Sequence, residues 1–372
     1  MKKRIILTSL LVVCLLAILA SCAGAGGGTA TTTQTGGPGY KTDLRLASQN
    51  AVIEGNAYRV VYERDIQQAA AAAKDHGLNV SYSSFVSDWD PAKESQQLEQ
   101  AINEKYDIIL VNPVAPTGLD PIIEKALDAG IIYINCDCEY TGAAASKILN
   151  IATDQYYLGY KTATYIGDRL GKGAKVVMMN ALKGNAANEQ RAQGFQDGID
   201  EKGLDVVGYY NHDWNTALTQ SITTEILSSG IEFDGFLVSQ GAVNVLDAYD
   251  ALGADYPKAL GFGDDGRFIV DMLTLNKDKE VLPYIVVSNP PGVGGSALNF
   301  GLNQHMGYKL KDGVYTNPAT NSIFLPSKVW FTYENQKDYM YFLDENDPRY
   351  VGPNETISYW LTLDEIKSQF FE

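Results

Sequence analysis

The 372-residue sequence is 45% hydrophobic and 20% charged, an ordinary globular composition long enough for two domains with separate cores, which excludes a largely disordered chain. Its formal charge is -16, with 45 acidic residues against 29 basic ones, so it repels phosphate backbones and anionic lipid, and nucleic-acid binding is disfavoured. Beyond the N-terminal segment no apolar run is long enough to span a bilayer.

In chain order, Lys2, Lys3 and Arg4 form a basic start, and residues 5–20 supply an apolar stretch of signal length rather than a full membrane span. The stretch ends in Leu19-Ala20-Ser21-Cys22, which resembles the bacterial lipobox: an aliphatic residue, two small residues, then a cysteine that is acylated before cleavage. The resemblance implies removal of residues 1–21 and lipid attachment at Cys22; an ordinary secretory signal is the alternative. Residues 22–42 are dominated by Gly, Ala and Thr, the composition of a flexible tether with a reach of about 25 Å. Cys14 lies in the signal, which leaves Cys136 and Cys138; residues two apart in a strand make a strained bridge, so two free thiols are expected. The histidines, His76, His212 and His305, have no metal-site spacing to this pair, and neither a metal nor a cofactor is expected.

Next come four β-rich runs, 44–49, 78–85, 106–112 and 131–136, separated by helical patterns at 58–76, 91–105 and 119–129. A second series begins after Asp154, with helices at 156–170, 187–202, 217–229, 243–252 and 266–275 alternating with strands at 175–180, 205–210, 233–239 and 259–262. Such alternation predicts right-handed βαβ units and parallel sheets, hence an α/β protein of two doubly wound lobes. The strand 284–289 is followed by Pro290-Pro291 and a helical pattern at 294–309, which places a crossover between lobes near Asn289. The remaining tail, rich in Trp, Tyr and Phe, is too aromatic for disorder and is expected to pack on the body. The predicted lobes are 43–152 with 290–327, and 153–289 with 328–372.

Short motifs then carry a resemblance. Asn56-Ala57-Tyr58, Asp90-Pro91-Ala92-Lys93, the Asn-Pro end of 106–113, Ala152-Thr153-Asp154-Gln155, Arg191-Ala192-Gln193-Gly194-Phe195 and Gly261-Phe262-Gly263-Asp264 occur in order. Together they resemble the periplasmic sugar-binding proteins of ABC transporters, the ribose- and galactose-binding branch, over residues 43–312. The resemblance implies a three-crossover hinge and a ligand held between lobes at the carboxyl ends of the strands, where open α/β sheets bind. A sugar needs aromatic planes for its ring faces, and carboxylates and amides for its hydroxyls. The resemblance implies stacking by Tyr58 and Trp214, hydroxyl acceptance by Asp137 and Asp264, and an amide contact from Asn289; Gln240 is a further candidate. Alternatives stay open: Tyr58 as a core residue, Asn56 as a donor or as a helix cap, Asp265 in place of Asp264, Trp214 on a domain edge, and Asn289 as a plain hinge residue.

Two positions depart from the family pattern, with Cys138 and Glu189 where relatives commonly carry arginine; Arg191 then reads as structural and Arg59 as a replacement donor. Asp137, Glu189 and Asp264 together would favour a donor-rich ligand such as an amino sugar or nucleoside. No G-x-S-x-G, H-E-x-x-H or P-loop is present in the sequence, so binding rather than catalysis is expected, with a surface hydrolase as the weaker alternative. The expected protein is a monomer outside the cytoplasm, joined to a membrane through its lipid. It serves an ABC transporter permease or, alternatively, a membrane receptor for a sensed ligand.

Overall fold

A computed structural model describes residues 39–372 other than Gly55; the predicted signal, the predicted lipidation site Cys22 and most of the predicted tether lie outside the described residues. The first lobe takes β1 (Asp43–Asn50), α1 (Ala57–Ala72), β2 (Asn79–Val86), α2 (Pro91–Asn103), β3 (Ile108–Asn112), α3 (Asp120–Asp128), β4 (Ile132–Asp137) and β5 (Leu149–Thr153). The second takes α4 (Gln155–Leu170), β6 (Lys175–Asn180), α5 (Ala186–Lys202), β7 (Asp205–Asn211), α6 (Thr216–Ser229), β8 (Gly235–Val238), α7 (Ala242–Leu252), β9 (Ala259–Gly263), α8 (Gly266–Leu275) and β10 (Tyr284–Val287). The chain then returns through α9 (Val293–His305) and β11 (Ser322–Leu325) to the first lobe, passes through β12 (Trp330–Thr332) in the second, and closes with α10 (Leu363–Phe370).

Both sheets have one order: β11-β5-β4-β3-β1-β2 in the first lobe and β12-β10-β9-β8-β6-β7 in the second. All pairings are parallel except β10 with β12. The near-continuous apolar runs of the central strands follow from burial on both faces. Ile108 and Leu110 enter the core under α1, α9 and α10, whereas Ile109 and Val111 enter the core under α2 and α3. Val177 and Met179 are likewise separated from Val176 and Met178 in the second lobe.

The short strands β5, β11 and β12 and the course of the tail differ from the sequence expectation. The strand β5 was not predicted, because buried Asn150 interrupts its apolar run; its Oδ1 accepts from Tyr140 N–H at 2.9 Å and its Nδ2 donates to Thr320 O at 2.6 Å. The tail assigned to the second lobe divides: Phe331, Phe342, Val351 and Ile357 pack there, but Leu361, Leu363, Ile366 and Phe371 enter the first lobe's core. The amides of Asn299 and Asn303 on α9 hold this end by donating to Leu361 O (2.7 Å) and Leu363 O (3.1 Å). Among the described residues the chain therefore connects the lobes at Asp154, 288–292 and 326–329, and again at 358–360. Cys136 and Cys138 are buried free thiols, and Tyr62 Oη lies 2.6 Å from Cys136 Sγ.

Candidate ligand-binding cleft

The carboxyl ends of both sheets face one cavity of about 370 Å³, lined by residues of each lobe. Identical strand orders put the switch point of each sheet, β1 beside β3 and β6 beside β8, toward this space, where loops diverge and leave a crevice.

On the first-lobe wall Asn56 caps α1, its Oδ1 accepting from Arg59 N–H at 3.0 Å, so the side-chain oxygen serves the helix while the residue lines the cavity. Tyr58 donates from Oη to Asp137 Oδ1 at 2.6 Å, and Asn112 Nδ2 donates to Asp137 Oδ2 at 2.8 Å. These bonds fix the carboxylate of a residue whose φ of 71° lies in the left-handed region. Arg59 is 6% exposed and donates to Asn50 Oδ1, which ties it to the buried Glu63 through Asn50 Nδ2 at 3.1 Å. Burial raises the Glu63 carboxyl above its ordinary range.

On the opposite wall Arg191 is 2% exposed and donates to Ser239 O and Gln155 Oε1, while its Nε–H has no partner among the described residues. Burial lowers its guanidinium to about 10, so it stays charged at neutral pH, and Asp264 opposes that shift. Asp264 follows β9 and accepts from Asn289 N–H at 3.0 Å through Oδ2; burial raises it to about 6 against the pull of that bond and of Arg191. Asp265 also lines the cavity, but it caps α8 by accepting from Phe268 N–H at 2.8 Å, and burial raises it to about 7. Asn289 Oδ1 accepts from Gln155 Nε2 at 2.9 Å, and Gln240 Oε1 is buried without a partner among the described residues.

The two walls share a device. After the second strand of each lobe, Asp88-Trp89 and Asp213-Trp214 both take positive φ, at 56° and 62°, and at 51° and 60°. Each pair is followed by a helix cap, Asp90 on α2 and Asn215 on α6. Each tryptophan carries an arginine over its ring, Arg59 at 5.1 Å from Trp89 and Arg191 at 5.5 Å from Trp214. Left-handed tryptophan is uncommon, and its occurrence twice at matching places points to a site that requires those ring positions.

The cavity thus brings together Asn56, Tyr58, Arg59, Asp137, Trp214, Gln240, Asp264 and Asn289. Glu189 is not among them: it is exposed on α5, and its carboxylate accepts from Gly184 N–H at 2.7 Å. Two residues along a helix rotate by about 200°, so the register that turns Arg191 inward turns Glu189 out. Trp89, Gln155, Arg191 and Cys138 also line the wall. Trp89 was readable in the repetition of Asp88-Trp89-Asp90 as Asp213-Trp214-Asn215.

Residues 52–309 match the family described as the periplasmic binding protein domain. The chain belongs to that family. A family relative, the ribose import binding protein of Bacillus subtilis (strain 168), is 27% identical over 208 residues, which cover 55% of this chain and 65% of the relative. The chain thus spans just under two thirds of that relative's length. The periplasmic fold recurs in a solute-binding protein from Thermobispora bispora (TM-score 0.71, 18% identity, covering 88% of this chain and 94% of that one). It recurs too in one from Actinobacillus succinogenes with bound D-allose (TM-score 0.67, 19% identity, covering 80% and 100%).

Proposed function

We propose that this family member is an extracytoplasmic sugar-binding protein that captures a monosaccharide or similar polyol between its lobes and hands it to an ABC transporter permease. The carrying observation is a single cavity to which each lobe contributes a tryptophan, an arginine and a fixed carboxylate: Trp89, Arg59 and Asp137 on one side, Trp214, Arg191 and Asp264 on the other. Apolar ring faces of a sugar meet aromatic planes, and its hydroxyls meet acceptors and donors whose directions are already set. In this reading the carboxylates of Asp137 and Asp264 accept from hydroxyls, Tyr58, Arg191 Nε and the Asn56 and Asn289 amides complete the polar set, and Gln240 Oε1 accepts. A ribose-importing relative and a D-allose-bound structural neighbour support this class of ligand.

Ligand contacts made to both lobes at once exist only when the lobes are together, and that differential affinity shifts an open–closed equilibrium. Interlobe bonds such as Gln190 Nε2 to Glu139 Oε2 at 2.9 Å supply part of the closed interface. Acylated Cys22 and the tether would keep the body near its permease, raising the effective concentration of captured solute there. Replacement of Cys22 by Ser should then move the protein from the membrane to the soluble fraction; an unchanged distribution counts against the anchor.

Native mass spectrometry of purified protein, followed by a thermal-shift screen over pentoses, hexoses, inositols, amino sugars and nucleosides, tests the ligand class. Retention of a sugar-sized mass and a raised melting temperature with a polyol are expected. A response to nucleosides alone would move the assignment to that class, and silence toward every polar ligand would remove the binding reading.

A further inference from the structure

The family match ends at residue 309, yet the cavity has a wall that comes from beyond it: Pro353, Asn354, Glu355 and Thr356 line its mouth. The segment is seated in the second lobe's core on both sides, by Val351 and Ile357, and the chain passes into the first lobe's core only at Leu361.

Its path is built on both sides. Toward the second lobe, Gly266 N–H donates to Glu355 O at 2.8 Å, and Ile357 N–H and Thr356 Oγ1 each donate to Asp264 O at 3.0 Å. The segment therefore holds the very residue that presents a carboxylate to the cavity. Gly266 permits this approach, since a Cβ there would lie 2.2 Å from Gly352 O. Toward the first lobe, Arg64 donates to Glu355 Oε1 at 3.1 Å, Ser358 Oγ donates to Asp65 Oδ2 and also accepts from Gly292 N–H at 2.9 Å. A Cβ at Gly292 would fall 2.0 Å from Tyr359 O, so the strap also sits against the crossover at 288–292.

We infer that residues 353–356 form a third wall of the ligand site, in which Asn354 and Glu355 contact the edge of the bound polyol and set which ligands this chain accepts. The inference rests on the sugar-binding reading of the cleft and adds specificity determinants from a second-lobe loop that lies beyond the family match and reaches the first lobe through Arg64. Glu355, an acceptor without donors when ionised, selects a hydroxyl or ammonium on the edge it faces and rejects a carboxylate there. A strap tied to both lobes must also give way when they separate, which slows ligand release.

Truncation before residue 351 would strip Leu361, Leu363 and Ile366 from a buried core, so the test uses point variants instead. Calorimetry compares the wild type with Asn354→Ala plus Glu355→Gln, with Glu355→Gln alone and with Trp214→Ala, each against D-ribose, D-allose, myo-inositol and D-glucosamine. Glu355 has a side chain 47% exposed, so the single variant keeps its fold, which the melting temperature without ligand confirms. The expected result is a loss of about tenfold or more in affinity in both tail variants, unequal among the sugars, with faster dissociation. Equal affinities in wild type and tail variants, with Trp214→Ala alone impaired, would overturn the third wall and leave the sugar reading standing. A wild type that binds none of these sugars and no other polyol of the thermal-shift screen would overturn both.

Discussion

At Asp264 the physical chemistry of the site is most exposed to test. Burial raises its carboxyl from about 3.8 to about 6, and the neighbouring Asp265 to about 7, while Arg191 and the Asn289 N–H act in the opposite direction on Asp264. Both groups bind a proton more tightly in the folded chain than in the unfolded one. Stability from these two groups is therefore present below about pH 4 and is lost as pH rises through 6 to 7. Asp264→Asn keeps an acceptor for Asn289 but removes the buried charge. Without ligand it should melt above wild type at pH 7.5, with the gap closing toward pH 4, while binding sugar more weakly. A variant melting below wild type at pH 7.5 would contradict this account. Legibility at this scale was uneven for a geometric reason: loop residues at strand ends, such as Asp137 and Asp264, are placed by the strand before them. Residues on α5 depend on a rotation that only packing decides, so Arg191 lines the cavity and Glu189 does not.

That packing is set where α4 crosses α5. Gly159 and Gly194 let the two backbones meet: a Cβ on Gly159 would lie 2.1 Å from Arg191 O, and one on Gly194 would lie 2.1 Å from Tyr156 O. Because α4 opens with Gln155 and α5 carries Arg191, the crossing aligns the Gln155–Arg191 bond that braces the cavity wall. Gly159→Ala should cost about 1–3 kcal/mol by overpacking and should weaken ligand binding as Arg191 shifts. Denaturant melts and calorimetry check both effects, and unchanged stability would show that the helices can part freely. The central strands were legible because burial on both faces makes them continuous apolar runs. The elements β5, β11 and β12 were not: they are three to five residues long, and their identity comes from the strands they pair with rather than from their own pattern. The tail was read correctly as packed, but its aromatic composition carries no information about which lobe receives it. The polar anchors Asn299 and Asn303, on α9 and outside the site motifs, settle that question only in three dimensions.

At the scale of the molecule, two lobes of one topology place matched aromatic, cationic and acidic groups on facing walls, and the chain crosses between them at places that include the tail. The matching of Trp89 with Trp214 and of Arg59 with Arg191 makes the cleft, rather than either lobe, the proposed binding unit. The most direct measurement is isothermal titration of the protein with D-ribose and D-allose, repeated on Trp214→Ala. The account predicts saturable one-to-one binding by the wild type to at least one of these sugars or to another polyol, weakened about tenfold when the indole is removed and with the fold retained. Affinity for a polyol that is unaffected by Trp214→Ala would contradict the claim that the interlobe cleft holds the sugar.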